Sequence, residues 1–315
     1  MRSSAAIAVF GLASQADAWW NNGHMFTARV AFDYLSDKRP DVLKKANGIL
    51  ANLASFTDLE TSERAFVECA TFPDKIKHRG FSAQSHWHFV DTPIQDGVDL
   101  QIPDNPWNII WAINTMKWDL KYAKPEGNPT VGENVNDTLF TSIDLRFLIH
   151  YVGDIHQPLH ATSRFTPDRP NGDRGGNDFK LEKTHGIDEL HALWDSIVLY
   201  HKSDFKEPLT DFHWEEMGNI SAEITEEFPI SKYGDDLLKK PKDWAEESYN
   251  IAKDFVYVGI KEGEWPSDDY LEKGQTIARE RIAMGGYRLA LTLIDLWGDL
   301  IDEAPPVGPE VENLA

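Results

Sequence analysis

Ile149-His150-Tyr151-Val152-Gly153-Asp154-Ile155-His156-Gln157-Pro158-Leu159-His160 is the stretch on which the reading of this chain turns. Thr141 to Tyr151, which leads into it, is apolar on several faces and predicts a central, buried helix. Pro158 predicts where that helix has stopped. His150 and Asp154 stand four residues apart, so on a helix their side chains share one face, a turn from each other. His160 follows past the proline. Imidazole, carboxylate and imidazole in so apolar a run are costly to bury without partners. A single metal ion would pair with all of them.

Helical periodicity extends outward on both sides. Gly23 to Leu35 carries a stripe of Met25, Ala28, Ala31, Phe32 and Leu35. Pro40 to Ala54 opens with a proline suited to a first turn and continues with Leu43, Ala46, Ile49, Leu50 and Leu53. Trp107 to Tyr122, Asp188 to Tyr200, Lys242 to Val258 and Ser267 to Leu300 add further helical patterns, the last expected to break near Gly285-Gly286. Strand signals are few. Asp178 to Glu182, followed by a turn at Thr184-His185-Gly186, predicts a small hairpin. Ala161 to Asn177 is rich in Gly, Pro, Asp and Arg and predicts a long ordered loop; loops of that length in compact domains are often functional. No repeat, low-complexity segment or internal boundary interrupts the pattern. The expected fold class is mainly α, a single-domain helical bundle with a small β-hairpin or short strands near the active-site cleft.

With 315 residues there is ample material for a core. A formal net charge of −21 argues against a generic nucleic-acid binder, because backbone binding rests on Lys and Arg. Eleven Trp point to thick helix packing or to aromatic surfaces in a cleft. Arg2, the apolar run Ala5 to Ala13 and then Ala16-Asp17-Ala18 form a charged n-region, a short h-region and an A-x-A cleavage site. Residues 1–18 therefore read as a cleaved signal peptide, residues 19–303 as the folded domain, and residues 304–315 as a flexible C-terminal tail. The expected location is outside the cell or in a secretory or lysosome-like compartment. Only Cys69 is present, so no intramolecular disulfide is possible; it reads as a buried small hydrophobe. A secreted chain without disulfides can lean on bound metal for stability. Asn136-Asp137-Thr138 and Asn219-Ile220-Ser221 are glycosylation sequons. No apolar run reaches membrane-spanning length, so no membrane anchor is expected.

Further segments combine histidine with aspartate. His191 and Asp195 repeat the i, i+4 spacing of the opening pair. Ser85 to Asp91 alternates polar groups, including His86, His88 and Asp91, in what reads as an extended segment. Phe72-Pro73-Asp74 places a carboxylate just after a helix end, and His24 lies five residues from Trp19. One His-x-x-x-Asp pair fits a simple helical pair as well as a metal site. Together these groups offer imidazole and carboxylate without thiolate, which suits zinc, and manganese or iron less well. Nitrogen and oxygen ligands with positions left open to water describe a catalytic site better than a structural one.

Trp19-Trp20-Asn21-Asn22-Gly23-His24, Pro73-Asp74, His88-Phe89-Val90-Asp91, His150-x-x-Gly153-Asp154 and Gln157-Pro158-Leu159-His160 follow one another in a recognisable order. Gly175-Gly176-Asn177, Leu190-His191-x-x-Trp194-Asp195 and Ala283 to Ala290 continue it. In order and spacing they resemble the zinc-dependent class I nucleases, the single-strand-specific nucleases and 3′-nucleotidases. The resemblance covers essentially the whole chain from Trp19 onward. It implies a mostly helical fold of the phospholipase C/nuclease type with three Zn²⁺ per chain in a cleft. Carried over position by position, one zinc would be held by Asp74, His88, His150 and Asp154, and a second by His160, His191 and Asp195. The third would be held by the free amine and carbonyl of Trp19, with His24 and a bridging Asp154. His156 matches no ligand position and reads as a packing residue or one that supports the ligands.

The resemblance also implies the chemistry: in-line attack on phosphorus by a zinc-bound hydroxide, a further zinc on the leaving 3′-oxygen, and 5′-phosphate products. Substrates would be RNA, single-stranded DNA and 3′-nucleotides, and the protein would act as a monomer. Three zinc ions bring about six positive charges against the ligand carboxylates, which leaves roughly +3 in the pocket of an acidic protein. Asp91 matches a position that orients water or contacts the nucleotide; the plainer alternative is a turn cap. Phe89 matches a base-stacking position, and it equally suits the core beside His88. Asn177 matches a position lining the nucleotide pocket. Two features depart from the fungal and plant pattern. Lys77 stands where arginine is usual, which keeps the charge but loses a bidentate grip on phosphate, and the disulfides are missing. Arg164, Arg169 and Arg174 either reach substrate or pair with Asp168 and Asp173. The alternative activity, on the same ligand set and fold, is a zinc-dependent phospholipase C.

Overall fold

The computed structural model describes residues 19–53, 64–77, 79–122, 137–201 and 205–298. The signal-peptide reading, the tail and the Asn136 sequon fall outside the described residues. Among those residues the chain is mainly α-helical, as its periodicity predicts, with two short two-stranded sheets.

Helix α1 (Asn21–Lys38) is followed by α2 (Pro40–Ala51), which starts on its proline, then by the short α3 (Ala65–Glu68) and α4 (Phe72–Lys77). A 3-10 turn at Ser82–His88 precedes α5 (Ile109–Tyr122) and the central α6 (Asp137–Asp154). The short α7 (Leu190–Asp195), α8 (Asp211–Glu227), α9 (Pro241–Ile251) and α10 (Asp268–Trp297) complete the bundle. Thr210 and Ser267 start α8 and α10 by accepting hydrogen bonds from the N–H groups of His213 and Tyr270, satisfying donors that a helix start leaves free. Helix α6 runs through the middle. Leu145, Leu148, Ile149, Tyr151 and Val152 are at most 1% exposed, which is why its apolar residues face every direction.

Helix α10 does not break at Gly285-Gly286. It runs unbroken over thirty residues. The glycines serve packing instead: a Cβ on Gly286 would stand 2.5 Å from Cβ of Val30 and 2.9 Å from the carbonyl of Thr27, so their absence lets α10 close on α1. The helix expected over Asp188 to Tyr200 is also shorter. Ile187–Glu189 is taken by a strand, and Ile197, Val198 and Leu199 adopt φ values of 57°, 51° and 64°, outside helical geometry. The expected hairpin is present as β3 (Lys180–Thr184) against β4 (Ile187–Glu189). Two earlier strands, β1 (Thr92–Gln95) and β2 (Thr162–Phe165), pair in parallel with Thr92 opposite Thr162. The segment expected as a continuous loop from Ala161 therefore opens with a strand. Strand β1 begins shortly after the Ser82–His88 turn and β2 shortly after His160.

Candidate metal centre

The His and Asp positions implied by the resemblance come together beside the end of α6. His24 comes from α1, Asp74 from α4, His150 and Asp154 from α6, and His191 and Asp195 from α7. His88 closes the 3-10 turn Ser82–His88, and His160 sits in a second such turn, Pro158–Ala161. Two local expectations are corrected here. Asp74 lies inside α4 rather than after a helix end, and Ser85–His88 is a tight turn rather than an extended segment. Gln84 closes that turn: its amide donates to the Pro73 carbonyl at 2.8 Å, and its Oε1 lies 2.6 Å from Nε2 of His88. Extended backbone resumes at Phe89.

Asp154 is the centre of the arrangement. Its Oδ2 lies 2.9 Å from Nδ1 of His88 and 3.1 Å from Nε2 of His150, and its Oδ1 lies 3.2 Å from Nε2 of His24. Asp74 is 3.6 Å from His88 and 3.7 Å from His150. Nε2 of His160 faces Nε2 of His191 at 3.3 Å, and His191 is 3.3 Å from Asp195. His24, Asp74 and His150, then His88, His150 and Asp154, then His160, His191 and Asp195 each bring ligand atoms within 4.8 Å of one another. The first group places His24 against Asp74 and His150 as well as against the Asp154 it was expected to share. All these side chains are buried except Asp74, which solvent reaches.

The outward side of each ring is fixed by the fold. Nδ1–H of His150 donates to the Ala70 carbonyl at 2.6 Å, that of His160 to the His88 carbonyl at 2.7 Å, and that of His191 to the Gly175 carbonyl at 2.7 Å. Each bond assigns the proton to Nδ1 and leaves a lone pair on Nε2 facing inward, the arrangement that outer partners impose on metal-ligating histidines. Gly175 meets this need through its backbone: its φ of 61° suits glycine, and a Cβ there would lie 2.5 Å from the Leu159 carbonyl. Inward lone pairs on neighbouring imidazoles repel unless a cation lies among them. Both ring nitrogens of His24 and Oδ1 of Asp154 are buried without a hydrogen-bond partner, and such atoms are costly in a fold. A divalent cation in the cluster would satisfy Nε2 of His24 and Oδ1 of Asp154, which face each other at 3.2 Å.

Protonation fits the same group. Burial, with the charge of His150 next, lowers the pKa of His24; burial also lowers that of His88 and brings His160 to about 3. Burial opposes charge on His150, but the carboxylates of Asp154 and Asp74 outweigh it and raise its pKa. Burial alone would raise Asp154 and Asp74. Instead the neighbouring His150, with His24 at Asp154 and Lys77 at Asp74, holds both carboxyls below their ordinary range. Ionised carboxylates and neutral imidazoles are the forms that bind metal; His150, drawn toward its charged form by the two carboxylates, must release its proton to join them.

Trp19 is 1% exposed; its indole N–H donates to the Gly153 carbonyl at 3.0 Å, and the N–H of Trp20 donates to the Asp195 carbonyl at 3.0 Å. Lys77 is buried and donates to Oδ1 of Asp74 at 2.9 Å. Asp91 is exposed to solvent, but desolvation by the protein around it, with the Asp173 carboxylate second, pushes its carboxyl up to about 6. Phe89 is partly exposed, edge-on to His86 at 5.8 Å. The Asn177 amide is turned into its own loop, donating to the Arg174 carbonyl at 2.6 Å. Arg164, Arg169 and Arg174 pair with Asp96, Glu262 and Asp178, not with Asp168 and Asp173. Asp173 accepts instead from the Arg164 N–H and the Tyr257 hydroxyl. Cys69 is buried and its thiol is pushed up to about 12 by that burial. Gln84 carried no sequence signal and Gln157 only its place in a quoted motif, with no role attached, yet both hold ligand candidates: the Gln157 amide donates to Oδ1 of Asp195 at 2.7 Å.

With this geometry in view, comparison with known proteins finds that residues 19–297 match the S1/P1 Nuclease family. The chain belongs to that family. As a member it is a nuclease, a hydrolase of nucleic acids. Among S1/P1 relatives it is 28% identical to Endonuclease 1 of Arabidopsis thaliana, over 91% of this chain and 89% of that one. It is 26% identical to Endonuclease 4 of the same plant, over 87% of this chain and 88% of that one. It is 23% identical to Nuclease S1 of Aspergillus oryzae (strain ATCC 42149 / RIB 40), over 95% of this chain and 96% of that one. No described helix of this S1/P1 member is long and apolar enough to cross a membrane.

Proposed function

We propose that this nuclease is a zinc-dependent, single-strand-specific enzyme that cleaves RNA and single-stranded DNA to 5′-phosphate products and removes phosphate from 3′-nucleotides. The observation that carries the reading is the set of three adjoining His/Asp groups with orphaned inward atoms around Asp154. Asp74, His88, His150 and Asp154 would hold one ion and His160, His191 and Asp195 a second. Trp19, through its free amine and carbonyl, would hold a third with His24 and Asp154. Bound there, zinc supplies Lewis-acid polarisation of a phosphoryl oxygen and acidifies water.

The remaining roles belong to the protein. Asp91, with its raised carboxyl, accepts or orients the proton of the attacking water. Lys77 fixes Asp74 and brings a positive charge to the cluster edge, in the place of the family's arginine. Phe89 offers a ring to an unpaired base, and Asn177 lines the same pocket from the Gly175-Gly176 loop. Residues 1–18 are removed on the secretory route, which frees the Trp19 amine; residues 19–303 form the domain, and 304–315 the tail. The mature protein is a secreted monomer with glycosylation sequons at Asn136 and Asn219.

No observation favours the phospholipase C alternative. The test is protein beginning at Trp19, loaded with zinc and given RNA, single-stranded DNA, duplex DNA, a 3′-nucleotide and phosphatidylcholine. Release of 5′-mononucleotides from the single strands, abolished by EDTA and restored by zinc, is expected. Cleavage of phosphatidylcholine with both single strands left intact overturns the reading.

A further inference from the structure

Helix α6 ends on Asp154, and a helix end leaves its last carbonyls without partners along the helix. The N–H groups of Ile155, His156 and Gln157 serve those of Tyr151, Gly153 and Asp154, and distant elements hold the next two carbonyls, beyond the helix end. The Ser248 hydroxyl of α9 donates to the Ile155 carbonyl at 2.6 Å, and Nε–H of Arg281 on α10 donates to the His156 carbonyl at 3.3 Å. The His156 ring is held as well: its Nδ1–H donates to the Val152 carbonyl at 2.7 Å, and its Nε2 accepts from Arg288 at 2.9 Å. The turn leaving the metal helix is thus gripped at its main chain and its side chain.

The gripping residues are locked to one another. Glu247 of α9 takes Arg288 in a two-pronged pair at 2.7 and 2.8 Å and Arg281 at 3.0 Å. Arg281 also donates to the Ser248 hydroxyl at 3.0 Å. Arg281 and Arg288 are 3% and 0% exposed. Two cations beside the C-terminal end of α6 suit its dipole, but buried ion pairs contribute little net stability, because desolvation offsets their attraction. None of these side chains is a metal-ligand candidate. Ser248, Arg281 and Arg288 meet at Ile155 and His156, and Glu247 ties the two arginines together behind them. The turn leads to Gln157, whose side chain holds Asp195 at 2.7 Å and accepts from the Leu159 N–H at 2.6 Å. A shift of the turn would displace Asp154 before it and Asp195 and His160 after it.

We propose that Glu247, Arg281, Arg288 and Ser248 are positioning residues that fix the α6 exit turn and so set the spacing between the Asp154 and Asp195 ligand groups. The proposal rests on the metal reading given under Proposed function. Arg281→Met removes the grip on the His156 carbonyl while leaving Glu247 paired with Arg288. Zinc affinity in the folded protein is read by competition with a chromophoric chelator, alongside circular dichroism and thermal unfolding. A folded Arg281→Met protein is expected to bind at least one zinc about 10- to 100-fold more weakly, as when partners of metal ligands are lost, and Arg281→Lys to recover part of that. Ser248→Ala, which deletes only the bond to Ile155 and its link to Arg281, is the gentler variant and is expected to weaken the same site several-fold. Unchanged zinc affinity in Ser248→Ala, or in folded Arg281→Met, overturns the proposal even where the melting temperature falls. Wild-type protein that binds no zinc overturns the metal reading and this proposal together; wild-type binding with unaltered variants overturns the positioning role alone.

Discussion

Gly153 on α6 makes room for His24 on α1: a Cβ built on Gly153 would stand 2.8 Å from Nδ1 of His24. The neighbour is a ring stacked on His150 with centroids 3.8 Å apart, so it cannot slide away freely. Gly153→Ala is expected to cost about 1–3 kcal/mol of stability through overpacking. It is also expected to lower bound zinc by pushing His24 off Asp154. Thermal unfolding and metal analysis on the same sample check both; a variant with full zinc and an unchanged melting temperature would show that His24 has room to spare.

Asp154 touches His24, His88 and His150 with its two oxygens. Asp154→Asn keeps the volume and removes the charge. If the carboxylate bridges two ions, the variant binds more than one zinc fewer per chain and loses activity. Loss of one ion only, by metal analysis on folded protein, would assign Asp154 to a single site.

The His/Asp pairs were legible in the sequence because i, i+4 spacing is a local property of helices, and α6 and α7 both keep it. The central place of α6 was legible for the same reason, since its apolar residues leave no polar face. What could not be read is what lies across space. Nothing near His150, His160 or His191 announces that the carbonyls of Ala70, His88 and Gly175 fix their rings. Nothing in Gly285-Gly286 distinguishes a helix break from a close crossing; only the position of Val30 does. The arginines of the loop after Ala161 find Asp96, Asp178 and Glu262, and only the packed fold chooses among so many acids. The parallel pair β1–β2 joins segments seventy residues apart, with Thr92 opposite Thr162, and period-2 patterning in four-residue strands is too short to show it.

Zinc that binds the native state and not the unfolded chain stabilises it by mass action. With each site held at 100-fold over its dissociation constant, the gain is about 2.7 kcal/mol per ion. EDTA is therefore expected to lower the melting temperature by many degrees, and added zinc to restore it. A scan indifferent to EDTA would mean that the buried lone pairs of the cluster are satisfied without metal.

Asp91 has its carboxyl raised to about 6 by its crowded surroundings and by Asp173. A proton acceptor must be ionised, so kcat/KM is expected to rise as pH increases through about 6, and Asp91→Asn to remove that limb. The stability sign is opposite. A carboxyl raised in the folded state favours the fold at low pH, and that contribution is lost as pH rises through about 6. Replacing Asp91 by Asn should therefore raise the melting temperature more at pH 8 than at pH 4. The same gain at both pH values would show that the side chain titrates normally.

Phe89 separates two roles that a single stability measurement would confuse. Its backbone is structural: the Phe89 carbonyl accepts from the Ile109 N–H at 3.1 Å, and the next residue, Val90, donates to the His160 carbonyl at 2.8 Å. Its ring is partly exposed and meets His86 edge-on, so one side is open to a flat partner. Stacking contributes on the order of 1–3 kcal/mol per base, so Phe89→Ala is expected to raise KM for single-stranded DNA about 5- to 150-fold with kcat little changed. A phosphodiester without a nucleobase should be cleaved as well as before, since it has nothing to stack. If the ring instead braces His88 from the side, both substrates suffer equally and bound zinc falls with them. The ratio of the two KM changes, measured at saturating zinc, decides between the two.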